Sequence, residues 1–301
     1  MKHYFGKKRC SHCNAEIDAI ETHCSHCGTD LLKTNEGENN RDLKEFYRFE
    51  KILQVSYFKQ IAFFLVGWAG LQTIGFIVSF CYQAYGTYGL GLNTVEQLKE
   101  YLTSADVRFA INIIMYLSIF LIMALLLWKK GWKEIGRSFK KPSAILIGLA
   151  GFIALLATNF IYNFFVSVIF NAAGFTPPGV NDNETTLRQL CNVNFPVSII
   201  VLGLIGPFVE EITYRCGLFS FLSRTKRWIA YVVSGIVFGM IHFTWDFSST
   251  EAIITELVNL PTYVGAGLMM AFVYEKGGFA ASYCMHAFNN TFSILLNSLT
   301  R

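Results

Sequence analysis

Of the 301 residues in this chain, 53% are hydrophobic and 15% are charged, and the mean hydropathy is +0.39. Soluble domains carry about 25% charged residues, so the balance excludes an ordinary cytosolic enzyme and points to an all-α, polytopic transmembrane helical bundle. The net charge of +4 calls for no nucleic-acid partner, since basic loops against an anionic inner leaflet account for it.

The chain begins with a separate unit. Residues 10–27, CSHCNAEIDAIETHCSHC, hold Cys10, Cys13, Cys24 and Cys27 as two C-x2-C pairs, and Gly28 follows the second. Such pairs on tight turns can set four thiolates tetrahedrally around Zn2+, and the glycine supplies the positive φ that these turns often need. A structural zinc ribbon is therefore predicted over residues 1–30. Two disulfides are the alternative, disfavoured on a reducing cytoplasmic side. His3, His12, His23 and His26 crowd the same stretch and read as surface residues, because four thiolates already close the shell. A closed site does no chemistry, so its expected role is stability or docking of a protein partner. Over residues 31–57 a polar linker, TNEGENNRD, leads into LKEFYRFEKILQVSY, which reads as a charged amphipathic helix. The polar, cysteine-bearing start does not read as a cleavable signal peptide.

Apolar stretches of spanning length follow at about residues 58–82, 109–127, 144–170, 196–222, 228–243, 252–274 and 279–297. About seven spans are predicted. The fifth is short and the sixth carries Glu256 and Pro261, so six or eight are the alternatives. With a cytoplasmic amino-terminus, 20 Lys and Arg fall in inner segments and 4 in outer ones, which the positive-inside rule favours. The predicted location is a cell membrane, multi-pass, with the lipid bilayer as the constant partner.

The fourth span interrupts its own apolar run with GPFVEEITYR. Glu210, Glu211 and Arg215 together cost about 8–10 kcal/mol to insert, against about 4–8 kcal/mol returned by the Leu, Ile, Val and Phe around them. Such a helix needs polar company. Glu211 and Arg215 are four apart, so the arginine can neutralise that carboxylate, while Glu210 points about 100° away. Glu256, nearer the outer end of its span, reads as a structural group reaching the interface. Gly235 and Gly239 read as a helix-packing face.

Outside the first 26 residues there are two histidines, His242 and His286, and both fall in predicted spans. Phe238 lies one turn before the first and Asn290 one turn after the second. A single membrane histidine is more often a packing residue, but here the polar groups occur together. Glu210, His242, and His286 with Asn290 are predicted to converge on a small wet cavity. There a carboxylate and an imidazole can activate water against a peptide carbonyl, and an amide and a second imidazole can donate to the oxyanion. Two His and one Glu also form an open coordination set for a catalytic zinc, and the sequence leaves both readings open. Counted from the inner boundaries at about 1.5 Å per residue, the depths of Glu210, His242 and His286 come to about 18, 21 and 10 Å, a mismatch that calls for tilted or interrupted helices.

These residues carry a family resemblance. E-E-x-x-x-R at 210–215, F-x-x-x-H at 238–242 and H-x-x-x-N at 286–290, in that order on consecutive spans, resemble the CPBP (ABI) intramembrane proteases, which include type II CAAX prenyl endopeptidases and lysostaphin-resistance proteins. The resemblance covers roughly residues 145–297. It implies that Glu210 activates water with His242, that Glu211 and Arg215 support the site, that His286 and Asn290 form the oxyanion pocket, and that the site opens toward the cytoplasm. Cys216 stands where the family usually has glycine, which bears on local packing more than on chemistry. The implied organisation is a ribbon at 1–30, a linker and amphipathic helix at 31–57, N-terminal transmembrane helices at 58–143 and a protease-like domain at 144–301. The leading function is an intramembrane endopeptidase, metal- or glutamate-dependent, that cuts membrane-associated peptides or protein termini. The alternatives are a non-catalytic scaffold or bacteriocin-immunity-type protein recruiting a partner through the ribbon, and a proton-coupled transporter, disfavoured because no internal repeat is visible.

Overall fold

Each of the seven apolar stretches forms a helix. The computed structural model describes residues 7–10, 12–18, 21, 23–31, 56–128, 130–245 and 249–299. The amphipathic helix predicted before Tyr57, the linker and His3 lie outside the described residues. The long elements are α1 (Tyr57–Ala84, continued by a wide turn to Gly89), α3 (Ala105–Leu126), α5 (Pro142–Ala172), α7 (Phe195–Ser223) and α9 (Thr250–Gly277). Between or after them come α2 (Val95–Thr103), α4 (Lys130–Phe139), α6 (Asp182–Val193), α8 (Arg227–Met240) and α10 (Phe279–Leu299). Among the described residues, five helices are long and apolar enough to cross a membrane. At 14 residues, α8 is about 21 Å long, shorter than the roughly 30 Å hydrocarbon core.

The charged helix is the hub. In α7, 61% of the apolar window is buried, against 11–33% in the other four long helices. Its residues Phe208, Val209, Ile212, Cys216 and Phe219 pack in one core with Phe63 of α1, Ile119 and Met123 of α3, and Ala271 and Tyr274 of α9. Surrounding the polar groups with other helices is the physical answer to their insertion cost. Close approach depends on small residues. A Cβ on Gly217 would meet the backbone N of Phe64 at 2.8 Å, so α7 lies directly on α1 there. The predicted Gly235 and Gly239 face packs against Leu268 and Val264 of α9. Pro261 is accommodated inside α9 without ending it.

Within α7 the winding loosens twice, at Ile199–Ile205 and Glu211–Phe219, where the hydrogen bonds follow the wider π pattern. Pro207 lies just after the first loosening. Because proline lacks an N–H and crowds the carbonyl a turn earlier, a helix carrying it must open locally.

The amino-terminal unit is built from two similar knuckles, the first closed by a short antiparallel hairpin, β1 (Lys7–Arg9) with β2 (Glu16–Asp18), and the second by a single His23–Asp30 bridge. In each, the first cysteine pairs with the residue five on: Cys10 N donates to Ala15 O at 2.8 Å and Cys24 N to Thr29 O at 2.9 Å. Each turn closes on a left-handed residue, Asn14 at φ 59° and Gly28 at φ 70°.

Candidate active site

The second loosening of α7 begins at Glu211, directly after Glu210. Wide turns of this kind often mark functional positions, since they rotate side chains out of the regular α register. Glu211 and Arg215 are fully buried, and Glu210 is nearly so. Arg215 Nε lies 3.5 Å from Glu211 Oε2, the pairing their spacing allows. The guanidinium also donates from Nη1 to Ser234 Oγ at 3.1 Å and sits 4.9 Å over the Phe238 ring. An arginine in such a place needs an anion, an acceptor and a π face to offset its lost hydration.

His286, on α10, stands between the two carboxylates. Its Nδ1 is 3.0 Å from Glu211 Oε1 and its Nε2 is 3.6 Å from Glu210 Oε2. The sequence reading put this imidazole beside Asn290 as an oxyanion donor. Nδ1 is thus held by Glu211, while Nε2 lies too far from Glu210 for a hydrogen bond, where α10 crosses α7 at its charged turn. Asn290 Nδ2 donates to Leu202 O at 3.2 Å, and its side chain lines a cavity of about 160 Å³ together with Glu210 and His242. A larger cavity of about 480 Å³, walled by Trp68, Leu71 and Phe76, also reaches Glu210 and His242.

His242 lies just beyond the end of α8 rather than within a helix. Helix ends leave carbonyls without partners, and here His242 Nδ1 satisfies Phe238 O at 2.8 Å. A carbonyl only accepts, so Nδ1 carries the proton and Nε2 of the neutral ring is an acceptor. The fifth span is short because α8 ends at Met240, and Ile241 and His242 after it line the larger cavity.

Several polar residues of the site escaped the sequence reading. Tyr263 of α9 stacks on His242 at 4.8 Å between ring centroids and donates to Asn181 Oδ1 at 3.0 Å. Asn181 Nδ2 reaches His242 O at 3.1 Å. Glu256 does not extend to an interface. It is buried and accepts from the N–H groups of Asp182 and Thr244, both at 3.0 Å, joining the start of α6 to the segment after His242. On α3, Tyr116 donates to Glu210 Oε1 at 2.9 Å. Asn112, four residues earlier, lines the same cavities. That spacing was a legible signal in INIIMYLSIF.

Among the described residues, the group of His, Cys, Asp or Glu side chains gathered for a metal ion is Cys10, Cys13, Cys24 and Cys27, whose sulfurs lie within 4.8 Å of one another. The Cys10–Cys27 and Cys13–Cys24 separations are 3.7 and 3.6 Å. A disulfide needs about 2.05 Å, whereas tetrahedral zinc with bonds of about 2.3 Å sets sulfurs about 3.8 Å apart. The residues fit a metal. The hydroxyl and N–H of Thr29 hold the Cys27 thiol down to about 5. Although Ala15 N–H favours the Cys13 thiolate, burial and the neighbouring thiols push Cys13 up to about 12. Four thiolates this close repel unless a cation lies among them. His12, His23 and His26 are exposed, as expected. Glu210, His242 and His286 do not form a comparable group.

Comparison with known proteins bears out the resemblance. Residues 192–292 match the family model for type II CAAX prenyl endopeptidase Rce1-like proteins, a segment holding all three motifs but narrower than the region they suggested. The chain is 27% identical over 161 residues to a Bacillus subtilis (strain 168) protein named "Putative membrane peptidase YdiL", covering 52% of this chain and 58% of that one. It thus spans less than two thirds of that relative's length. A second similar protein is UPF0177 protein YvdC of Lactococcus lactis subsp. lactis (strain IL1403), 23% identical over 209 residues, or 67% of this chain and 70% of that one. No solved structure matches the chain.

Proposed function

We propose that this chain is an intramembrane endopeptidase, similar to CAAX proteases, that hydrolyses peptide bonds of membrane-associated peptides or protein termini. The observation that carries the reading is Glu210: a nearly buried carboxylate within a span, facing two cavities it shares with His242. In the proposed mechanism a water lies between Glu210 and Nε2 of His242. Glu210 takes its proton as the oxygen attacks the carbonyl carbon, and returns that proton to the leaving amine as the C–N bond breaks. His242, fixed in one tautomer by Phe238 O, orients the water. Glu211, Arg215 and His286 hold Glu210 in place from behind, and Asn290 contributes polarity to the cavity wall. Glutamate-based hydrolysis is favoured over metal catalysis because Glu210, His242 and His286 do not gather their ligand atoms as the four cysteines do.

The protease-like domain is assigned to residues 144–301, with the helices of 58–143 completing the cavity wall. The ribbon of residues 1–30 holds a structural zinc on the cytoplasmic side and offers a surface for a protein partner. With purified full-length protein and a fluorogenic peptide library, Glu210→Ala and His242→Ala should each abolish cleavage. Turnover unchanged in both variants would remove the reading.

A further inference from the structure

Stabilising a tetrahedral oxyanion takes donors aimed at the cavity, and most polar groups in its wall have other partners. His286 Nδ1 is held by Glu211 and one amide N–H of Asn290 by Leu202 O, which leaves His286 Nε2 and the other Asn290 N–H able to donate. Asn112 donates to Arg108 O, and Asn183 to the Tyr263 hydroxyl. The tautomer set by Phe238 O makes Nε2 of neutral His242 an acceptor.

Tyr116 adds a donor whose partner is the proposed base itself. Its hydroxyl lies 2.9 Å from Glu210 Oε1, and its side chain lines both cavities. Glu210 Oε2 is turned inward, buried and 3.6 Å from His286 Nε2. Oε1 is therefore the oxygen through which the carboxylate meets the cavities, and a water activated there sits beside the phenol. Tyr116 comes from α3, outside the segment that the family model matches.

We propose that Tyr116 is a further catalytic residue, whose phenol donates to Glu210 in the resting site and to the oxyanion in the transition state; this rests on the peptidase reading. In the resting site the ionised carboxylate is the strongest acceptor within reach. As water attacks, its oxygen bonds to the carbonyl carbon, the π pair moves onto the carbonyl oxygen, and the released proton goes to Glu210 Oε1. The carboxylate thereby becomes a poor acceptor while the new alkoxide becomes a strong one, so the phenol O–H turns to the alkoxide without losing its proton. The interaction strengthens only in the transition state, which is the condition for raising kcat.

The test uses the full chain and a library peptide that the wild type cleaves. Tyr116→Phe keeps the ring that packs against Phe208 and its neighbours and removes the donor. Its kcat should fall about 100-fold with KM within about threefold, the loss typical of one oxyanion donor. A phosphinic peptide that mimics the tetrahedral intermediate should lose affinity by a similar factor, a change that a merely structural hydroxyl would not produce. Wild-type turnover and analogue affinity in Tyr116→Phe, with cleavage abolished by Glu210→Gln, would overturn the role of Tyr116 and leave the peptidase reading intact. A wild-type chain that cleaves no peptide would overturn both. Should Tyr116→Phe fail to fold, 3-fluorotyrosine at position 116 keeps the shape and strengthens the donor; unchanged kcat would then overturn the proposal.

Discussion

Arg215 shows how a buried charge is tolerated one contact at a time. It has Glu211 beside it, Ser234 as acceptor and Phe238 beneath, yet its Nε and Nη2 and Glu211 Oε2 make no hydrogen bond among the described residues. The pair is held by charge more than by directional bonds. Removing one member leaves the other uncompensated, so Arg215→Met should lower stability by about 3–5 kcal/mol. Replacing both members by apolar residues of similar volume, as in Glu211→Leu with Arg215→Met, should restore much of that stability, because two desolvation costs vanish together. Thermal unfolding in detergent distinguishes the cases; a double variant less stable than Arg215→Met would contradict the account. The double variant should also lose cleavage, since His286 would no longer be anchored on Glu211.

At the scale of elements, the site is made by helices that stop or loosen inside the bundle. α8 ends at Met240 and leaves His242 to cap it, and α7 widens at Glu211. Glu256 then ties the start of α6 to the chain beyond His242 through two backbone N–H groups. Each such bond to a charged acceptor contributes about 1.5–3 kcal/mol. Glu256→Ala should therefore cost several kcal/mol on that scale and lower kcat, while Glu256→Gln, which keeps one acceptor oxygen, should cost less in both. Equal behaviour of the two variants in unfolding and turnover would argue against the clamp. The apolar stretches, the Glu211–Arg215 pairing and the glycine face of α8 were legible because they follow from spacing along one helix. The partners of Glu256 and His286 were not, because they depend on how separate helices cross. His242 was read in register with a continuing helix, and nothing local in FGMIHFTW marks the early stop. Asn112 and Tyr116 could have been found by the same spacing of four that singled out the histidine motifs.

Across the whole molecule, two units with different sources of stability are joined in one chain. The bundle is organised around α7, whereas the amino-terminal unit has a core of Cys10, Ile17 and Cys24 with Leu31 packed against it. With so small a core, a metal bound by the four cysteines would be the main contributor to its folding. Elemental analysis of the full chain should find about one zinc per molecule, lost on acidification as protons displace metal from the thiolates. Chelation or Cys24→Ser should expose residues 1–31 to protease while the bundle keeps its helical circular dichroism. Protection of that segment unchanged by either treatment would contradict a metal-dependent ribbon. Peptide cleavage should survive both treatments, because the proposed site lies in the bundle and uses no ribbon residue.

The central claim, that Glu210 makes this chain a peptidase acting at the membrane, is tested most directly by mapping protein termini in cells that carry either the wild-type chain or Glu210→Gln at equal abundance. The account predicts a set of new termini, in membrane proteins or membrane-bound peptides, present only with the wild type. Identical termini in the two strains would contradict it.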